Sequence, residues 1–585
     1  MNRNIAFLIT SNNKNLDALE KAKNDFFNLV EKFKHNVSEF KFGCFEIFIA
    51  HADEATLKQE EDFIEFPIGN LGSSDIKNDR FLKIIILKET IKIENDYAGT
   101  IPVFYSKREY LSLSNIESCV MLDSKTIKND FSYENIYGYM RYMHFIWDET
   151  AYKHISTMLP DSLYVFDAKK STIKETYLKT VKVTKKYIGL SDIEISNELN
   201  KLNDKLVYES LEKYDQVILP LSSGYDSRMI LVALAKRADL KNKLHCFTYG
   251  SIGSVEVEAA RQLTSELGVK WDFIDLPLKF LTKDYLHEIH DIFGASLHMH
   301  GMYQLEFFNE ISKKIKIEKN SCLTSGFMTG VPAGQHNTLL GINNNESLTV
   351  AMNKFSQSRY WTDEELNQLD IFKNKKYIEK ANERFKLSFN RFEGEVYQKS
   401  VMFDVWTRQR NFIGYYPRTL EWKIPTASPH MNKEYANLFM SISKKHLDDR
   451  LSVELMFSNH YPRIASIVSN SNGLKSINSL FENMMFFTSR VFRKFKINCL
   501  LPNRYMNNSF EFNLPSLKYS NKESIYPLLL KNKYIDKEVN KIISHNELES
   551  LYLEAYNGDI SSYEKMLTIQ SIGLTLLKME KNSES

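Results

Sequence analysis

Six consecutive residues carry the plainest chemistry in this chain: Ser222-Ser223-Gly224-Tyr225-Asp226-Ser227. Small residues in a tight turn leave backbone N–H groups free to face an anion. Ser222, Ser223 and Ser227 add hydroxyl donors, and Gly224 lets the backbone come close to a ligand. Asp226 is negative and cannot donate to phosphate. Its natural partner is a divalent cation that bridges to phosphate oxygens. The chemistry this predicts is phosphate binding with one carboxylate for a metal. No Gly-Lys-Ser/Thr is present, so this is not a Walker loop.

A Ser/Gly/Asp turn also occurs as an ordinary surface turn, so the flanking elements matter. The apolar run Val217-Ile218-Leu219-Pro220-Leu221 leads in, and a helix-like segment over 229–238 follows. A second apolar run, Leu244-His245-Cys246-Phe247-Thr248-Tyr249-Gly250, comes one βαβ unit later. Residues 255–267 read as a helix and Trp271-Asp272-Phe273-Ile274-Asp275-Leu276 as a third strand. This alternation predicts a parallel, doubly wound sheet with the ligand at its carboxyl edge. Ser321 to Val331 is another strand running into a small-residue turn, at Ser325-Gly326.

Other polar clusters are weaker. His287, Glu288, His290, Asp291, His298 and His300 lie close in sequence. Imidazoles suit zinc, but the spacing is not the i, i+4 of a helical metal site. Polar lining of a cleft is the preferred reading. The five cysteines are scattered without metal-ligand spacing, which points to a reduced, cytoplasmic protein. The net charge of +2 over 585 residues gives no electrostatic case for nucleic acid. No apolar run approaches the length of a membrane span or a signal-peptide core.

The first 180 residues read as β-rich. Short apolar or alternating runs lie at 5–9, 45–50, 82–87 and 102–105, with helical spacing over 16–33. Asp96, Gly99, Pro102, Phe104 and Tyr105 lie in a turn between two of these strands.

Ser222 to Ser227 resembles the Ser-Gly-Gly-x-Asp-Ser loop of the ATP-pyrophosphatase (PP-loop) enzymes. The Asp96 to Tyr105 segment resembles the Asp-x-x-Gly-x-x-Pro-Leu-Tyr-Tyr turn of asparagine synthetases. Together, over about residues 1–467, the chain resembles the asparagine synthetase family. The resemblance implies an α/β protein. Residues 1–185 would be an Ntn-hydrolase-like αββα domain and 186–467 a PP-loop ATP-binding domain, with a helical extension over 468–585. It implies ATP held by Leu221, Ser222, Ser223, Gly224, Tyr225, Asp226, Ser227, Tyr249, Ser325 and Gly326, with Tyr249 beside the adenine and Mg2+ on Asp226.

The departures are as informative as the matches. Active glutaminase members begin Met-Cys, whereas this chain begins Met1-Asn2-Arg3. An amide cannot replace a thiolate nucleophile, and the internal Cys44 has no free α-amine, so no glutamine hydrolysis is expected. The family's second phosphate-side loop is Ser-Gly-x-Gly-Gly-Asp-Glu. Ser325 and Gly326 match it, but Thr329 and Gly330 stand where Gly-Asp is expected. Asp291 is one acid that could replace the missing metal ligand. Pro429 to Tyr435 resembles the family's Pro-Phe-Leu-Asp segment, with Asn432 for the acid.

By the same resemblance, Arg450 occupies the position of the family's phosphate-contacting lysine and Glu454 that of its arginine. The catalytic residues implied are Asp226 and Arg450. The bland alternative for Arg450 is an exposed helical arginine paired i, i+4 with Glu454.

The reaction implied is adenylation of a carboxylate, of a small molecule or peptide, followed by transfer of ammonia or an amine to form an amide. A homodimer is left open. A non-catalytic nucleotide- or partner-binding member is the alternative.

Beyond about residue 467 the resemblance ends. Residues 480–496 combine apolar residues with Arg490, Arg493, Lys494 and Lys496. A packed helix with a solvated basic face is expected there, against a membrane-surface or partner-binding helix.

Overall fold

The computed structural model describes residues 3–11, 16–69, 80–184, 186–249, 252–274, 290, 292, 294, 304–342, 346–356, 361–469, 479–494, 533–556 and 559–584. Of the histidine-rich stretch only His290 is described. It is buried, with Nε2 3.2 Å from the Thr575 hydroxyl. Asp291, His287, His298 and His300 lie outside the described residues.

Three sheets organise the chain. The N-terminal part has two six-stranded antiparallel sheets. Asn4–Ser11 lies inside the first, between Phe45–His51 and Ser112–Ser114. Thr90–Asn95 lies inside the second, between Phe81–Ile86 and Ser162–Asp167. Alternation decides the packing. Phe7 and Ile9 of the first sheet meet Ile84, Ile91 and Ile93 of the second. Ala6 and Leu8, on the opposite face, pack against the helix Leu16–Lys32.

A second helical layer outside the other sheet is not found among the described residues. That face carries Lys92, and Lys83 paired with Glu65 at 3.0 Å, all open to water. Charges at alternate positions suit solvent and give a helix nothing apolar to cover. Among the described residues the arrangement is thus helix, sheet, sheet, three of the four layers of the expected αββα sandwich.

The third sheet is parallel. From edge to edge it runs Lys270–Ile274, Leu244–Tyr249, Gln216–Pro220, Ser321–Thr324 and Thr426–Ala427. In chain order this is 3-2-1-4-5, the doubly wound order, and the direction of winding reverses between Gln216–Pro220 and Ser321–Thr324. Both faces are covered. Val217 and Leu219 pack into one core, Ile218 with Phe247 and Leu323 into the other. A strand buried on both sides reads as an unbroken apolar run, and this one does.

Side-chain caps set the helix starts. Ser191 and Thr362 each form a reciprocal capping box, opening Asp192–Leu211 and Asp363–Gln368. Asn432 caps Lys433–Ser441 through Glu434 N–H at 2.7 Å. Val405–Ile413 winds as a π-helix, a rare form concentrated at functional sites. It locks the two parts together: Trp406 donates to the Tyr97 carbonyl and Arg410 to that of Gly99. The C-terminal helices His545–Tyr556 and Ile560–Glu584 share a core with Tyr133–Tyr142.

Candidate functional site

The first turn leaves the carboxyl end of Gln216–Pro220 and opens the helix Tyr225–Lys236. The second leaves the adjacent strand Ser321–Thr324. They therefore meet at the topological switch point, where doubly wound sheets bind their ligands. The meeting is close. A Cβ on Gly326 would lie 2.9 Å from Asp226 Cβ and 3.1 Å from Ser227 N. Only glycine lets the two backbones approach this far.

Within the first turn the parts divide their work. Leu221, just past the strand, is tied to its neighbour: its N–H donates to Phe247 O at 2.8 Å and its carbonyl accepts from Thr248 Oγ1 at 2.7 Å. Ser227 Oγ accepts from Ser222 N–H at 3.1 Å, and Ser222 Oγ accepts from Gly224 N–H at 3.2 Å. Gly224 sits at φ −70°, ψ 165°, which any residue can adopt, so its value here lies in small size and not in backbone freedom. The Tyr225 ring is buried against Phe457, and its hydroxyl donates to Glu454 at 3.1 Å.

The N–H of the fully buried Ser223 donates to the Glu256 carboxylate at 2.6 Å. Beneath it Arg228 is fully buried and donates to four carbonyls, those of Ser223, Ile464, Ile467 and Val468. Burial lowers the Arg228 pKa to about 10, with Tyr225 and Glu256 opposing. Glu256 and Arg228 thus hold the turn's shape. Neither stood out in the sequence, because Glu256 belongs to the next helix and Arg228 reads as one more helical residue. The N–H groups of Ser222, Ser223 and Gly224 already have acceptors within the fold. An anion would meet the first helical turn instead.

Asp226 is the focus. Its Oδ1 is sealed from water and has no hydrogen-bond partner, yet 38% of the side chain remains open. The carboxylate therefore lines a recess, with Oδ1 toward protein and the remainder toward the space. Burial raises its pKa, opposed by Arg450 and His336. Arg450 Nη1 stands 3.8 Å from Oδ1, and the guanidinium lies 5.0 Å from the Tyr225 ring centre. Arg450 is not an exposed helical residue. It is buried, precedes the helix Leu451–His460, and follows Asp449 with both at positive φ, 51° and 59°. Two consecutive non-glycine residues in that region store strain of the kind found at functional sites. Glu454 is spoken for by Tyr225.

Thr329 faces away from the recess. Its hydroxyl meets His430 Nδ1 at 2.7 Å, His430 Nε2 meets Asn203 Oδ1 at 2.8 Å, and the Asn203 amide donates to Met229 O at 3.0 Å. That last bond fixes Asn203, so Nε2 carries the proton and Nδ1 accepts from Thr329. Burial lowers the His430 pKa to about 3 and keeps the ring neutral. Gly330 lies against Asp226 instead. Ser325 is bound into its own turn, its Oγ accepting from Phe327 N–H at 3.1 Å. Tyr249 closes the neighbouring strand at the same carboxyl edge.

One polar pair was not legible in sequence: His336 Nδ1 is hydrogen-bonded to Asp404, the last residue before the π-helix. Burial raises the Asp404 pKa, but His336, Arg408 and His144 more than offset it, and the carboxyl stays below its ordinary value. The two residues are far apart in the chain, and no motif joins them.

Among the described residues no group of three or more His, Cys, Asp or Glu side chains could cage a metal. Asp226 alone suits magnesium that keeps its waters and takes its other ligands from phosphate. Compared with known proteins, the chain matches no protein-family model and no curated sequence.

Proposed function

We propose that the chain is an AMP-forming carbon–nitrogen ligase of the asparagine synthetase type, using Mg-ATP to activate a carboxylate. The observation that carries this is the meeting of two small-residue turns at a sheet switch point, with one half-open carboxylate and a buried arginine between them. In this reading the first turn of Tyr225–Lys236 binds the phosphates. Arg450 stabilises charge that grows as the substrate carboxylate attacks the α-phosphorus and pyrophosphate leaves. Magnesium, held by Asp226, would neutralise phosphate charge. Ammonia or an amine then displaces AMP, giving the amide. The amine gives up its proton as the amide forms, and His336, hydrogen-bonded to Asp404, is the candidate we would test as its acceptor.

In this reading the nitrogen source is free ammonia or an amine rather than glutamine.

A second reading, nucleotide or partner binding without turnover, draws on Glu256 seated on the turn and on the absence of an acid at 329–330. Calorimetry of Mg-ATP binding to the wild type and Asp226→Ala tests both. Magnesium-dependent binding that is lost in the variant supports the nucleotide site. Release of AMP and pyrophosphate with a panel of carboxylates then separates ligase from binder. No ATP binding at millimolar concentration overturns the ligase.

A further inference from the structure

Leu480–Lys494 is a fifteen-residue helix whose apolar side is turned outward. Leu480 is 89% exposed, Phe481 61%, Met484 62%, Phe487 70% and Val491 39%. Residues 480, 484, 487 and 491 fall on one stripe at helical spacing, with Phe481 at its margin. The packed helix expected from sequence is thus not what is observed. Its inward contact runs through Met485, which packs with Val255 and Val468. Elsewhere among the described residues exposed large apolar side chains are scattered, and both exposed phenylalanines belong to this helix. Such a patch calls for a covering surface.

The charge says which surface. The helix sequence contains Arg490, Arg493 and Lys494 against the single acid Glu482, so its charge is +2 in a chain whose whole net charge is +2. Side chains this exposed stand clear of the protein as a ridge. A bilayer accepts a ridge, taking the apolar stripe into the acyl boundary while basic residues remain among anionic headgroups. Among the described residues no helix is long and apolar enough to cross a membrane, so the contact would lie in the plane of the surface.

We propose that Leu480–Lys494 docks this protein on an anionic membrane surface. The proposal is independent of the ligase reading and survives its failure.

The test is co-sedimentation of the full chain with vesicles of phosphatidylcholine, pure or containing one-third phosphatidylglycerol. The expected result is binding to the anionic vesicles alone, abolished by high salt. Phe481→Ser with Phe487→Ser, and separately Arg490→Gln with Arg493→Gln, should each weaken binding roughly tenfold or more. The stripe is exposed, so Phe481→Ser/Phe487→Ser should leave the melting temperature unchanged, which separates docking from misfolding. Four results would overturn the proposal: no binding, equal binding to neutral vesicles, binding indifferent to both variants, or a dimer in solution that Phe487→Ser dissociates.

Discussion

A Cβ placed on Gly330 would stand 3.0 and 3.1 Å from the two oxygens of the Asp226 carboxylate. The position where the family resemblance calls for a second acid is thus in direct reach of the first. Gly330→Asp would crowd two carboxylates into one recess and displace the flexible end of Gln335. Without a divalent cation this should cost about 2–4 kcal/mol. With millimolar magnesium the melting temperature should recover, and rise more than the wild type's does. Equal magnesium responses in the two proteins would show that the recess does not take the ion.

Glu256 places a negative charge on the N–H of Ser223, beside the proposed phosphate site. Glu256→Gln keeps an acceptor there and removes the charge. ATP should bind about fivefold more tightly, corresponding to one charge–charge repulsion of about 1 kcal/mol in partly wet surroundings. Weaker binding, measured by the same calorimetry, would mean that the charge is needed to hold the turn against Arg228.

His430 joins the second turn to the helix Asp192–Leu211 through Thr329 and Asn203. His430→Ala leaves both partners buried and unmatched, at a cost of roughly 2–4 kcal/mol. Because Thr329 belongs to the turn that abuts Asp226, ATP affinity should fall together with the melting temperature. A lower melting temperature with unchanged affinity would confine the network to stability.

Glu149 offers a pH test. Burial raises its pKa from 4.5 to about 8, although Arg384 stands 3.4 Å away and pulls it down. A carboxyl with a raised folded-state pKa stabilises fully below the unfolded value. That contribution is lost as pH rises from 4.5 through about 8, by up to ~1.4 kcal/mol per pH unit. Glu149→Gln removes the loss. Its melting temperature relative to wild type should climb between pH 5 and pH 8. Parallel curves would mean that Arg384 keeps Glu149 charged throughout.

The parallel sheet was readable because its signals are local. Val217 to Leu221 is an unbroken apolar run followed by a small-residue turn and a helical period, and Ser321 to Thr324 runs into a small-residue turn of its own. Asp226 could be singled out because only one residue in its turn carries charge. What escaped depends on contacts across the chain. Glu256, Arg228 and the His336–Asp404 pair gain meaning only when distant segments meet. The outer helical layer, not found among the described residues, is a different case. Lys83 and Lys92 at alternate positions already marked a wet face, and the αββα expectation came from the resemblance, not from them. The helix at 480–494 showed its amphipathic pattern in sequence, but a pattern cannot say which side faces the protein.

The last helix closes the fold onto the first. Lys578 lies 3.8 Å from Asp25, and Leu567 and Leu574 share a core with Leu19 and Phe26. At ~5–20 residues per second, roughly half a minute to two minutes of synthesis separates the two helices. For that interval the part of this core that Leu567 and Leu574 fill is open, although Ala6, Leu8 and Phe48 already cover the rest of Leu16–Lys32. The packing of this core can therefore be completed only after residues 560–584 have left the ribosome. A chain cut short near its end would be faulted at its beginning.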